Sequence, residues 1–215
     1  MSAREKILSR IRNAQGRAGE ATQAERDAVQ KLITHKNIGP RPALQGDLAE
    51  RFKRLSAEMI CTLAEVANEN EVPDACRDYL QLNNLPLTGV AWRSLKHLDW
   101  HGADLNLAFD RAMGDDAIGI TSVFAALAET GTLMLLSGEN TAASVSLVPE
   151  THIAVLHKNR IVPYMEDAFA LLRKEKGDMP RAVNFVSGPS RTADIEQTIV
   201  LGAHGPYRLH IILVG

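Results

Sequence analysis

Residues 182–214 read AVNFVSGPSRTADIEQTIVLGAHGPYRLHIILV, and the way this stretch divides decides the fold. Its ends, 182–186 and 210–214, are short apolar runs of the kind found in strands covered on both faces. After the first run, Gly188 and Pro189 enforce a turn, and after Thr192 the chain reads as a helix. A second glycine-proline turn at Gly205 and Pro206 returns it to a strand. Strand, turn, helix, turn, strand is the repeating unit of an α/β layer structure.

The same alternation extends outward. Runs 132–136 (TLMLL) and 152–156 (HIAVL) are buried-type strands, and 88–92, 105–109 and 117–120 are shorter ones. Residues 122–129 read as a helix. A further helix begins after Pro163, carries Met165, Phe169, Leu171 and Leu172, and ends in Arg173, Lys174 and Lys176 before Gly177. The first third reads as helix throughout. Ser2 with Glu5 and Thr22 with Glu25 form capping boxes ahead of two short amphipathic segments. Each is too short to be stable alone and needs something to dock on. Asp47 caps a third segment whose apolar residues run from Leu48 through Phe52, Leu55, Met59 and Leu63 to Val66 as one helical face. Pro73 starts a fourth. The expectation is an α/β fold with a mostly parallel central sheet flanked by helices. A helical N-terminal region, 1–84, packs on an α/β core, 85–215.

Composition narrows the function. The chain has 215 residues and a net charge of -2, so no electrostatic case for nucleic acid exists. No apolar run is long enough for a transmembrane segment, and residues 1–21 lack the unbroken apolar core of a secretory signal, which points to a cytoplasmic chain. Cys61 and Cys76 are too few for a four-thiolate iron–sulfur cluster and have no CxxC spacing; buried, reduced thiols are expected. His97 and His101 are four apart, but no third metal ligand accompanies them, and no metal site is expected. The dinucleotide, P-loop, zinc-protease and nucleophile-elbow signatures are absent.

Two places hold residues that packing does not require. In the first, Ser187, Gly188, Ser190, Arg191, Thr192 and Asp194 gather at a turn before the expected helix, with Gln197 as a late cap. Free backbone N–H groups, hydroxyls and a guanidinium suit a carboxylate or phosphate. Helix capping and an Arg191 ion pair explain the same residues equally well. His204, between Gly202 and Gly205, can reach a ligand or move protons, although a single loop histidine is commonly neither. The second place is Glu129, Thr130, Gly131 and Thr132, at an expected helix-to-strand turn. A carboxylate is disfavoured at a helix C-terminus, and local rules are most often broken at functional sites. Glu129 is therefore a candidate base or nucleophile, although the residues alone favour a backbone or ion-pair role.

Five blocks carry a resemblance: AETGTLML at 128–135, SLVPETHIAVL at 146–156, IVPYMEDAF at 161–169, SGPSRTADIE at 187–196 and GAHGP at 202–206. In order and spacing they resemble the LUD-domain family of lactate-utilisation proteins over roughly residues 85–215, and the helical N-terminal part is similar in layout. Members of that family often carry a basic residue shortly before the second block; Thr141, Ala142, Ala143 and Ser144 hold none. The resemblance implies a fold like the sugar-phosphate isomerase and CoA-transferase superfamily. It also implies a part in oxidising L-lactate to pyruvate, beside separate iron–sulfur subunits. With two cysteines, this chain would hold no cofactor by itself and leave the clusters to its partners. Its role is then to bind a small carboxylate or to organise those partners, and whether it is itself an enzyme stays open. The alternative is a stand-alone CoA-transferase-like or phosphate-ligand enzyme using Glu129.

Overall fold

The computed structural model describes residues 2–17, 20–35, 39–195 and 198–215, with backbone alone for 193–195, 198 and 199. The chain forms two compact units, Met1–Pro42 and Ala43–Gly215. The first contains α1 (Ala3–Ala14) and α2 (Gln23–His35). Both expected capping boxes form. The Ser2 and Thr22 backbone N–H groups donate to Glu5 and Glu25 at 2.5 and 2.8 Å, and the two hydroxyls accept in return. Ile7, Ile11, Leu32 and Ile33 on these helices are exposed.

The second unit runs α3 (Leu48–Glu58), β1 (Thr62–Val66), α4 (Val72–Leu82), β2 (Thr88–Ala91), β3 (Asn106–Ala108) and β4 (Ile118–Ser122). It continues with β5 (Ala125–Leu127), β6 (Thr132–Leu136), β7 (Thr151–His157), β8 (Ile161–Val162) and α5 (Met165–Lys176). The last strands are β9 (Val183–Val186), β10 (Arg191–Ile195), β11 (Thr198–Leu201) and β12 (Arg208–Val214). Six strands form a parallel sheet in the order β1-β12-β7-β4-β2-β3. This is the mostly parallel central sheet the sequence predicts. A second sheet, β8-β5-β6-β9, is mixed, and β10 and β11 pair separately as an antiparallel hairpin.

The period of two along each strand explains the layers. In β7, Ala154 and Leu156 face one core with Leu209, Ile211 and Leu213 of β12 and Phe52 of α3, while Ile153 and Val155 face the other with Val72, Cys76 and Leu80 of α4. The sheet is therefore buried on both faces, which is why its strands read as continuous apolar runs. The second sheet adds Leu133 and Leu135 to the first core and turns Met134 and Leu136 toward α5, against Ala168 and Leu172.

Four expectations give way. The apolar face from Leu48 to Val66 is not one helix: α3 ends at Glu58, Ile60 takes a left-handed φ of 64°, and Thr62–Val66 becomes an edge strand. Leu63 and Val66 fit a helical face only because spacings of three and four also occur by chance in a half-buried strand. Consequently α3, β1 and α4 belong to the same compact unit as the sheet, and the unit begins at residue 43 where the sequence divides the chain at 84 and 85. The stretch 122–129 holds no helix: Ser122 ends β4, Ala125–Leu127 form β5, and a turn follows. The stretch after Thr192 is the β10–β11 hairpin, consistent with its β-branched Thr192, Ile195, Thr198 and Val200. No helix begins at Ser190, so the capping and helix-dipole arguments for that block do not apply; Gln197 lies outside the described residues.

Candidate functional site

The two glycine-proline turns meet at the end of the central sheet where β7 and β12 begin. The Ser190 N–H donates to Pro206 O at 2.7 Å, and the Gly202 N–H donates to Ser190 O at 2.9 Å. Gly188 holds φ 84°, and a Cβ there would stand 2.7 Å from Met59 O, so this turn requires glycine. On the neighbouring strand, a Cβ at Gly119 would fall 2.0 Å from Val145 O, which is how the loop before β7 comes so close to the sheet. Between these loops lies a cavity of about 180 Å³. Ser187, Gly188, Pro189 and Ser190 line one side, His204, Gly205 and Pro206 a second, and Ser146, Leu147 and His152 a third.

His152 is the chemically unusual member. The register sets it between Gly119 of β4 and Leu209 of β12, so the imidazole is carried into the sheet interior and is only 1% exposed. Nε2 lies 2.8 Å from Thr121 Oγ1, while Nδ1 is buried with no hydrogen-bond partner. Burial pushes its pKa down to about 4, so the ring is neutral near pH 7. A neutral ring whose Nε2 is engaged offers Nδ1 as one donor or one acceptor, according to which way the Thr121 hydroxyl points. Leaving such an atom unmatched costs about 1–3 kcal/mol. A second buried histidine, His210, occupies the opposite sheet face. Its Nδ1 lies 2.8 Å from Thr62 Oγ1, its ring stacks on Tyr79 at 3.8 Å, and its pKa is lowered by burial to about 4. His210 lines a different cavity, against β1 and α4.

The antiparallel register that pairs Leu133 with Val186 sets Thr132 beside Ser187. Their hydroxyls are 2.7 Å apart, and Thr130 Oγ1 is 2.8 Å from Thr132 Oγ1. Gly131, at φ 67°, packs against the backbone of Leu55 and Ser56. The two blocks singled out in the sequence are therefore joined by a chain of three hydroxyls that ends at the cavity wall. The turn itself is not part of that wall. Glu129 sits in the β5–β6 turn, donates its N–H to Pro163 O at 3.0 Å, and is not among the residues lining this cavity. Arg191 starts β10 and gives a guanidinium N–H to Met59 O at 2.9 Å, so it braces the Gly188 turn. Thr192 and Asp194 continue β10. Ser187, Gly188, Ser190, His204 and Gly205 are thus brought together; Glu129, Arg191 and Thr192 are not among the described residues that line the cavity, and the Asp194 side chain lies outside what the structure describes. The residue the sequence reading missed is His152, placed there at a strand end; the signal was a histidine inside an otherwise apolar run.

Cys61 and Cys76 are free, buried thiols. They belong to cores on opposite faces of the sheet, and burial raises the pKa of Cys61 to about 11 and that of Cys76 further. Among the described residues no group of three or more His, Cys, Asp or Glu is placed to hold a metal ion, and no helix is long and apolar enough to cross a membrane.

A six-stranded parallel sheet with flanking helices defines an α/β protein. The LUD domain model matches residues 3–214, and the chain belongs to that family. Among curated relatives, lactate utilization protein C of Bacillus licheniformis is 40% identical over 117 residues, covering 49% of each chain. The protein of the same name from Bacillus subtilis is 42% identical over 100 residues, 45% of this chain and 42% of that one. In these matches the alignment spans half or less of the relative. A third, from an Exiguobacterium species, is 28% identical over 98% of this chain and 95% of that protein. The crystal structure of a DUF162-family protein from Deinococcus radiodurans superposes with a TM-score of 0.62 at 21% identity, over 81% of this chain and all of that one, and shows the same fold.

Proposed function

We propose that this protein works in L-lactate utilisation as a non-redox subunit that binds a small hydroxy acid, lactate or its oxidation product pyruvate, in the cavity beside His152. The observation that carries the reading is the buried, unmatched His152 Nδ1 on a ring that lines a cavity with Ser190 and His204. A 2-hydroxy acid has complementary groups: a hydroxyl for a neutral imidazole nitrogen and a carboxylate for hydroxyl and imidazole donors at the mouth. The cavity volume suits a compact metabolite and is smaller than drug-sized pockets. The relatives named for lactate utilisation support the pathway assignment. Two cysteines on opposite sheet faces cannot supply the four thiolates of an iron–sulfur cluster, so electrons would pass through partner subunits in the cytoplasm. The exposed apolar faces of α1 and α2 are candidates for holding those partners.

The test is growth of a deletion strain on L-lactate, complemented by the native chain or by Gly205→Ala, with tagged protein recovered from the same cells. Native protein is expected to restore growth and bring down iron–sulfur subunits; Gly205→Ala is expected to bring them down without restoring growth. Normal lactate growth of the deletion strain, with no partner recovered, would overturn the role.

A further inference from the structure

The opposite end of the central sheet, at the C-terminal ends of its strands, carries a second, larger site. Along the sheet β2 leads outward to β3, whereas β4 leads back toward β7, so the crossovers diverge between β2 and β4. Open parallel sheets place ligands in the crevice at the C-terminal ends of strands at such a point. Two adjoining cavities, about 770 and 510 Å³, lie there and share Ser137, Gly138 and Thr141.

The larger is lined by Arg93, Arg111 and Arg181 against two acids, Asp110 and Glu139. Asp110 is already taken, 3.5 Å from the Arg93 guanidinium. The guanidinium groups of Arg111 and Arg181 make no hydrogen bond or ion pair with the described residues. They come from distant parts of the chain, yet both are tied to one loop. The residue after each donates its N–H to a serine hydroxyl there: Ala112 to Ser144 at 3.0 Å and Ala182 to Ser137 at 2.8 Å. That loop is closed by reciprocal N–H to O bonds between Gly138 and Thr141, both 3.2 Å. The smaller cavity is more apolar, with Trp92, Val123, Phe124 and Leu136 beside Arg160 and Lys176. Arg160 is committed to Glu175 by two bonds and lies over the Phe124 ring, and Trp92 is pinned by its N–H to Ala142 O at 2.8 Å.

We propose that this cleft binds an organic phosphate, with its phosphate groups at Arg111 and Arg181 and its organic part against Trp92 and Phe124. Two unpaired guanidinium groups beside a hydroxyl-bearing loop match phosphate oxygens, which accept forked N–H donors. The adjoining aromatic half distinguishes an organic phosphate from a bare inorganic anion, and the combined space accommodates a molecule of nucleotide size. This site stands at the other end of the sheet from His152 and does not rest on the hydroxy-acid reading.

The experiment is titration of the full chain with ADP and, separately, with inorganic pyrophosphate, followed by tryptophan fluorescence, since Trp92 lines the cleft. ADP is expected to change the signal saturably and pyrophosphate to compete with it. Arg111→Ala with Arg181→Ala should weaken both by about tenfold or more, with an unchanged circular dichroism spectrum because both arginines are exposed. Phe124→Ala should weaken ADP and leave pyrophosphate unchanged. Absence of saturable binding of either probe at millimolar concentration, or equal affinity in the native and double-arginine proteins, would overturn the assignment.

Discussion

Acid should destabilise this fold earlier than it does most, because two imidazoles are buried neutral. His152 and His210 are 1% and 4% exposed, and burial lowers both pKa values to about 4 from an ordinary 6.5. Between those values the unfolded chain takes up a proton at each histidine that the folded chain rejects. Stability therefore rises with pH across this window, by at most about 1.4 kcal/mol per unit per group. The contribution is fully present above about 6.5 and is lost as pH falls toward 4. From about pH 7 to about pH 5, each histidine should remove about 2 kcal/mol, and the two together about 4, a large share of a typical folding free energy. Glu25 and Glu175, whose pKa values are held down chiefly by hydrogen bonds to Thr22 and Arg160, keep their contributions until the pH drops below about 4.5. Urea unfolding at the two pH values, followed by circular dichroism, measures the difference. A His210→Gln variant should lose about half of the pH dependence. A native stability that is flat over this interval, or a variant with the full native dependence, would show that these histidines are not held neutral by burial.

Other consequences are smaller in scope. Gly188→Ala should destabilise by about 1–3 kcal/mol in denaturant melts, because φ is 84° and Met59 O blocks the Cβ. Gly205→Ala should leave stability within about 0.5 kcal/mol, since its added methyl meets Ser190 and Leu147 at ordinary contact distances of 3.5 and 3.6 Å, while narrowing the cavity. Ile60→Gly should raise stability by up to about 1 kcal/mol, because a β-branched residue at φ 64° is strained and this side chain is 59% exposed. Phe52→Ala, which empties a fully buried position under the sheet, should cost about 3–5 kcal/mol.

Much of the layer structure was legible because the strands that make it are covered on both faces. Runs 132–136, 152–156 and 210–214 have few polar interruptions, and those are the positions of β6, β7 and β12. What misled was ambiguity of period. Leu63 and Val66 extend the spacing of a helix whose real end is set by the left-handed turn at Ile60, and no glycine marks that turn. The hairpin at 191–201 has enough polar residues to pass for an amphipathic helix, and only pairing between β10 and β11 decides otherwise. The turn residues of the cavity, Ser187, Gly188, Ser190, His204 and Gly205, stood out because glycine and proline declare turns locally. His152 did not stand out, since its burial comes from the neighbouring strands β4 and β12. The arginines of the second cleft, 93, 111 and 181, are isolated in sequence and converge only through the loop at 137–144.

Whether the cavity beside His152 receives a small hydroxy acid, as proposed, is read out by calorimetric titration. L-lactate and pyruvate are each titrated near pH 7 into the native protein and into Gly205→Ala. Saturable one-site binding of at least one of them to the native protein is expected, with loss of that binding in Gly205→Ala at unchanged melting temperature. No saturable heat with either acid, or the same isotherm for both proteins, would contradict the proposal.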